Sequence, residues 1–226
     1  GRGVFFEASP IDVAPLLEEN LFDKVPTCIL TSATLTVGGS TDYIRNRLGL
    51  RNAESEVLST EFDFQKQAAL YIPHNLPDYR HDGYIRKAAD EIEKIIAISK
   101  GRAFVLFTSY QQMQACYQLV AHELPYPTLL QGRTSRSRLL EEFRRKKNSV
   151  LFATSSFWQG IDVPGEALSC VIIDKLPFQV PSDPLVQARI RQIEEGGGKA
   201  FADYQVPAAI LRLKQGFGRL IRARTD

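Results

Sequence analysis

Three observations predict an α/β fold in which a mostly parallel sheet is covered by helices on both faces. Short apolar runs alternate along the chain with longer segments of helical periodicity, the order of a strand–helix repeat. The length, 226 residues, is long for one domain and short for two, so one extended domain is expected over 1–226. Hydrophobic residues make up 44% and charged residues 24%, which excludes a disordered, collagenous or coiled-coil chain.

The strand candidates are residues 27–30, 68–72, 103–107, 128–130, 149–153 and 170–173. Between them, Ile85, Ala88, Ala89, Ile92, Ile95 and Ile96 recur at helical spacing, and Lys100 with Gly101 supplies a C-terminal stop. Met113, Cys116, Tyr117 and Val120 mark a second helix, opened by a capping box in which Ser109 bonds the third helical amide and Gln112 reaches back. Leu139, Leu140 and Phe143 mark a third helix, and Leu185, Ala188, Arg189 and Ile193 a fourth. Residues 49–67, with scattered charges, read as a surface excursion.

Lys plus Arg number 28 and Asp plus Glu 26, a formal charge of +2 that argues against a polybasic surface yet leaves room for a local basic face. Cys28, Cys116 and Cys170 lie far apart in apolar stretches and read as buried thiols, neither a disulfide framework nor a metal knuckle. No metal site is expected; His74, His81 and His122 have no partner pattern for a triad or a ligand set. No apolar run approaches the ~18 residues of a membrane span and no basic-then-apolar leader opens the chain, so a cytoplasmic location without a membrane partner is expected. The start at Gly1 without Met and the end in a basic cluster suggest a piece of something longer.

Parallel sheets place functional groups in the loops beyond the carboxyl ends of their strands. After 27–30 comes the hydroxyl-rich turn 31–35, either a sensor of a phosphate or a catalytic carboxylate across a cleft or an ordinary turn. After 103–107 come Thr108, Ser109 and Tyr110, where Ser109 serves as helix cap, as a phosphate contact, or as both. The segment 132–147 carries Arg133, Arg136, Arg138, Arg144, Arg145, Lys146 and Lys147 against Glu141 and Glu142, a local excess of +5. Its first arginines sit where a helix begins and suit a grip on backbone phosphates; the alternative is a solvated face.

The run 149–153 leads into Thr154, Ser155, Ser156, Phe157, Trp158, Gln159, Gly160, Ile161 and Asp162. Thr154 and Ser155 can donate to a phosphate, and Asp162 can accept from ribose hydroxyls. Trp158 either stacks on a base or packs in the core, and the core is favoured. Near the end, Pro207 can open a helix on which Gln215, Gly218, Arg219 and Arg222 share one face. Gly216 and Gly218 each cost ~1 kcal/mol in a helix, which points to a close approach to the backbone. Two guanidinium groups about one turn apart suit the oxygens of a transferring γ-phosphoryl group, unless they are only a basic helix end. The string Gly196, Gly197, Gly198, Lys199 is not a phosphate loop, because Ala200 replaces the hydroxyl residue and a helix precedes it; it reads as a helix stop.

In order, the strings TSATL at 31–35, LFTSY at 106–110, FATSSFWQGIDVPG at 152–165, LPFQVPSDP at 176–184 and LKQGFGRLIRARTD at 213–226 resemble the second RecA-like motor domain of superfamily 2 DNA helicases, in the DinG and YoaA branch related to XPD. The resemblance implies a RecA-like α/β fold over nearly the whole chain. It also implies that Thr154 touches single-stranded DNA, that Gly160 and Asp162 lie near the nucleotide, and that Gln215, Arg219 and Arg222 belong to an arginine-finger motif. Travel from 5′ to 3′ along DNA is implied in the same way. No GxxxxGK[ST] loop, DExH box or cluster of four cysteines occurs in this sequence. ATP and Mg²⁺ are therefore expected to be held mainly by a first motor domain of the same polypeptide, where an iron–sulfur cluster would also reside. The chain alone is expected to lack ATPase activity. Two other readings stand beside this one: a non-catalytic nucleic-acid-binding module of the same fold, and a dinucleotide or sugar-nucleotide enzyme, the latter weakened because no strand is followed by GxGxxG. Oligomeric state is left open.

Overall fold

The structure is a computed structural model that describes residues 6, 8–60, 62–154, 157, 163, 167–218 and 220. The chain divides into two compact units: a sheet unit of residues 60–177 with 212–226, and a helical unit of residues 1–59 with 178–211.

Helices α1 (Ala14–Leu17) and α2 (Asp42–Leu48) belong to the helical unit, and α1 runs on into a π-helical turn, Glu18–Phe22. The sheet unit holds α3 (Phe64–Gln67), α4 (Tyr84–Ser99), β1 (Ala103–Phe107), α5 (Tyr110–Val120), β2 (Thr128–Leu130), α6 (Arg136–Arg145), β3 (Val150–Thr154) and β4 (Cys170–Ile173). Helix α7 (Pro184–Glu195) and a π-helical turn, Phe201–Gln205, follow in the helical unit, then α8 (Val206–Phe217).

The four strands form one parallel sheet in the order β2–β3–β1–β4. All five β1 residues are buried, because alternate side chains leave the strand on opposite faces and both faces are covered. Val105, Phe107, Val150 and Phe152 pack with Ile92 and Ile96 of α4 and Met113, Cys116 and Val120 of α5. Phe104, Leu106, Leu151 and Ala153 pack on the other face with Leu139, Leu140 and Phe143 of α6. Two rings of the first layer, Tyr117 and Phe152, meet edge to face at 5.3 Å between centroids.

The expected stop after α4 is made by Lys100 and Gly101, both at positive φ, with the Gly101 amide donating to the Ile96 carbonyl at 3.0 Å. A Cβ at Gly101 would lie 2.0 Å from the Asn148 carbonyl oxygen, so this corner needs glycine twice over.

In the helical unit, Asp183 caps α7 by accepting from the Leu185 and Val186 amides at 2.9 and 3.0 Å, and Pro184 opens it. The glycine string ends α7 as expected, the Gly198 amide returning to the Ile193 carbonyl at 2.9 Å. Arg189, only 9% exposed, donates to the Ile11 carbonyl and to Asp12 at 3.3 Å, and its guanidinium lies 5.7 Å from the Tyr204 ring centroid. Arg47 lies at the same distance from that ring.

Two strand expectations are corrected. Residues 27–30 and 68–72 form no strand, and Ile29 and Leu70 are 83% and 82% exposed. A β-rich run becomes a strand only where a neighbour supplies the ladder, and among the described residues neither has one. Of the expected buried thiols, Cys116 is buried, Cys170 half-buried and Cys28 exposed, the last because its run joins no sheet.

Candidate nucleic-acid interface

At the carboxyl ends of β1, β2 and β3, Tyr110 and Thr154 converge on Gln131. The Thr154 amide and hydroxyl, at the end of β3, both donate to Gln131 Oε1, at 2.7 and 3.0 Å. The Tyr110 hydroxyl, on the first residue of α5, donates to the Gln131 carbonyl at 3.1 Å. The next residue is Gly132 at φ +95°, where a Cβ would lie 2.0 Å from the Tyr110 hydroxyl oxygen, so glycine allows the tyrosine to seat. Arg133 follows, exposed, its guanidinium 4.9 Å from the Tyr117 ring centroid. Tyr110, Gln114, Tyr117, Gln118, Leu130, Gln131, Gly132 and Arg133 line an open cleft of about 260 Å³.

Ser109 caps α5 by accepting from the Gln112 amide at 3.4 Å. The reciprocal half of the expected capping box is absent, since Gln112 Oε1 is buried without a partner among the described residues. Ser135 caps α6 in the same way, through the Arg138 amide at 3.4 Å. Arg136, on the first turn of α6, lies 5.4 Å from the Phe157 ring centroid, and Lys146 pairs with Glu142 at the other end. The basic strip is thus divided: its first arginines flank the loops at the strand ends, and its tail serves the helix.

Of the expected site residues, Ser109, Arg133 and Thr154 are brought to these adjoining loops. Ser155, Trp158, Gly160, Asp162, Arg219 and Arg222 lie outside the described residues. Gln215 is half-buried on α8, and Gly218 follows the end of that helix rather than lying inside it, its amide donating to the Lys214 carbonyl at 2.8 Å. The turn 31–35 closes on itself, the Thr34 amide donating to the Ser32 hydroxyl at 3.1 Å. Among the described residues, no three His, Cys, Asp or Glu side chains are grouped to hold a metal ion, and no helix is long and apolar enough to cross a membrane.

Reading from the sequence misses Gln131, the hydroxyl of Tyr110 and Asp174. Asp174 follows β4, its side chain is 2% exposed, and its Oδ1 accepts the Thr108 amide at 3.0 Å. Burial pushes its carboxyl up to about 6, against the opposing pull of the Lys175 charge and of the Thr108 and Lys175 amides. Strand-end logic applied to residues 128–130 and 170–173 would have pointed at Gln131 and Asp174.

Comparison with known proteins places the chain in a family. The helicase C-terminal domain model matches residues 92–226. The chain is 43% identical over 226 residues to the ATP-dependent DNA helicase YoaA of Haemophilus influenzae, covering all of this chain and 35% of that protein. It is 39% identical over 223 residues to the ATP-dependent helicase DinG of Mycobacterium tuberculosis, covering 96% of this chain and 33% of that one. It therefore spans about a third of the length of these relatives. A solved XPD helicase superposes with a TM-score of 0.52 at 20% identity, over 66% of this chain and 27% of that one, and shares the RecA-like α/β fold. By the matched residues, and by similarity to DinG and YoaA over nearly all of its own length, the chain belongs to the helicase C-terminal domain family.

Proposed function

We propose that these 226 residues act as the second motor domain of an ATP-dependent DNA helicase, contributing part of a single-stranded DNA track and the arginine fingers of an ATP site. The observation that carries the track is the convergence on Gln131. An amide carbonyl that accepts both an N–H and an O–H from Thr154 occupies the kind of position a phosphate oxygen would take. With the exposed guanidinium of Arg133 two residues on and the Ser109 cap beside Tyr110, these groups suit the sugar–phosphate backbone and carry no base code. Ser155 extends this set in sequence.

The ATP half of the reading rests on sequence and family. Arg219 and Arg222 would stabilise charge on the γ-phosphoryl group together with Gln215, while Gly160, Asp162 and Gly218 would lie near the nucleotide. ATP and Mg²⁺ would be held mainly by the first motor domain of the same polypeptide. Any iron–sulfur cluster would also lie there, and 5′ to 3′ travel follows the family. Action on DNA in the cytoplasm accompanies this reading.

Two measurements test it. Binding of labelled oligo-dT to the chain should weaken steeply with salt, and Arg133→Ala should lower the log–log salt slope by about one. Unchanged binding and slope in Arg133→Ala would remove the track. The chain alone should hydrolyse no ATP, and DNA-stimulated hydrolysis should return on adding the first motor domain and be lost again with Arg219→Ala. Robust turnover by the chain alone would overturn the division of roles, and DNA binding without any recovery would favour a non-catalytic binding module.

A further inference from the structure

We propose that Asp174 is a positioning residue of the DNA track: its carboxylate, anchored at the end of β4, holds the backbone of Thr108 and so aims the Ser109–Tyr110 start of α5 at the bound phosphate. The proposal rests on the track reading above.

Asp174 grips β1 at the point where that strand leaves the sheet. The last paired residues of the two strands are Leu106 and Ile173. One residue on, the Asp174 amide donates to the Leu106 carbonyl at 3.0 Å, and Asp174 Oδ1 accepts the Thr108 amide at 3.0 Å. The Tyr84 hydroxyl of α4 holds Asp174 in turn, donating to its carbonyl oxygen at 2.9 Å. From Thr108 the chain passes directly to the Ser109 cap and then to Tyr110, whose hydroxyl holds the Gln131 carbonyl. Asp174 is thus connected to the phosphate-facing loops through backbone and short hydrogen bonds, and need not touch DNA.

The carboxylate is a costly way to do this. Among the described residues its Oδ2 is buried without a hydrogen-bond partner, and the Lys175 ammonium stands 3.9 Å away. An asparagine of the same shape would accept the Thr108 amide without a buried charge. What the charge adds is a stronger acceptor, since bonds to ionised oxygens are about twice as strong as neutral ones. Among the described residues, the groups that face it are Tyr84 from α4, Cys116 from α5, the Thr108 amide just after β1 and Lys175 beside it. Tyr84 and Cys116 are themselves pushed up, Cys116 to about 12, and stay neutral between about pH 5 and about pH 7.5. Asp174, raised to about 6 by burial, changes charge within that window.

The experiment compares wild type, Asp174→Asn and Asp174→Ala in this chain, by fluorescence anisotropy with labelled oligo-dT at about pH 7.5 and about pH 5. The Thr108 amide resonance is followed over the same range. Asp174→Ala is expected to bind about tenfold more weakly at both pH values, because the Thr108 amide loses its acceptor. Asp174→Asn is expected to bind about threefold more weakly than wild type near pH 7.5 and equally near pH 5, where the wild-type carboxyl is itself neutral. The Thr108 amide should titrate in wild type and stay flat in D174N. If D174A does not fold, the wild-type to D174N ratio decides. A ratio that does not change with pH, or a folded D174A that binds like wild type, overturns the proposal. Failure of the track reading is told apart: wild type itself would then not bind oligo-dT and Arg133→Ala would change nothing, whereas failure of this proposal leaves wild-type binding and its loss in Arg133→Ala intact.

Discussion

The sheet unit and the helical unit bury different kinds of groups. In the sheet unit, Phe104, Phe107, Phe143 and Phe152 are at most 2% exposed and lie in two layers that sandwich four strands. In the helical unit, the buried residues among those described are Val186, Ala200, Tyr204, Pro207, Ala209 and the guanidinium-bearing Arg189. There the ring of Tyr204 is flanked by Arg189 and Arg47, and Arg189 is tied to Asp12 and the Ile11 carbonyl. A core of carbon depends on shape and area; an anchor of ring, guanidinium and carboxylate depends on charge and on every hydrogen bond being made. The sheet is therefore the rigid base for the strand-end loops, and the helical unit is the part whose order responds to a single polar change.

Substitutions can press on that contrast. The largest effect is expected from Phe152→Ala, which empties a site of 0% exposure against Tyr117 and Phe107. It should cost about 3–5 kcal/mol in urea denaturation followed by circular dichroism. Next comes Arg189→Ala, at about 2–3 kcal/mol, because the Ile11 carbonyl loses its donor and Asp12 its cation. Amide exchange should then quicken around Ile11–Ala14 and Tyr204 while β1 keeps its protection. Equal loosening of β1 would mean that the two units do not differ as described.

Asp174→Asn is expected to stabilise the fold near pH 7.5 by roughly 1–2 kcal/mol, less than its full pKa displacement because the charge-assisted bond to Thr108 is lost. The folded carboxyl, raised to about 6, holds its proton more tightly than the unfolded one near its ordinary value of 3.8. Wild-type stability attributable to this group thus falls as pH rises from about 4 to about 6 and is level above, so the gain in D174N should vanish near pH 4. Denaturation curves across that range check the sign. The smallest perturbation is chemical: a thiol reagent should label exposed Cys28 of the helical unit rapidly, and buried Cys116, pushed up to about 12, only on unfolding.

Legibility follows the same contrast. The four paired strands of the sheet unit and the covering faces of α4, α5 and α6 could be read to within a residue or so of the strand ends, because burial on both faces demands continuous apolar runs and helical spacing reveals the covering face; the short α3 was not read. Ser109, Arg133 and Thr154 were legible because strand ends are where such sheets carry function. Residues 27–30 and 68–72 have the same composition as the true strands and were misread, since nothing local tells whether a partner strand is present.

By itself, the amino-acid sequence determined the α/β class, a set of strand candidates that contains the four paired strands, the ends of α4 and α7, and the order of motifs that identifies the family. These depend on periodicity, on glycine and on residues adjacent in the chain. Only the tertiary structure decided that Thr154 bonds a residue 23 positions away, that Asp174 holds the amide of one 66 positions away, and that Arg189 reaches across 178 positions to Ile11. Hydrogen bonds join groups that the packed sheet and helices bring within about 3 Å, and spacing along the sequence carries no record of that meeting.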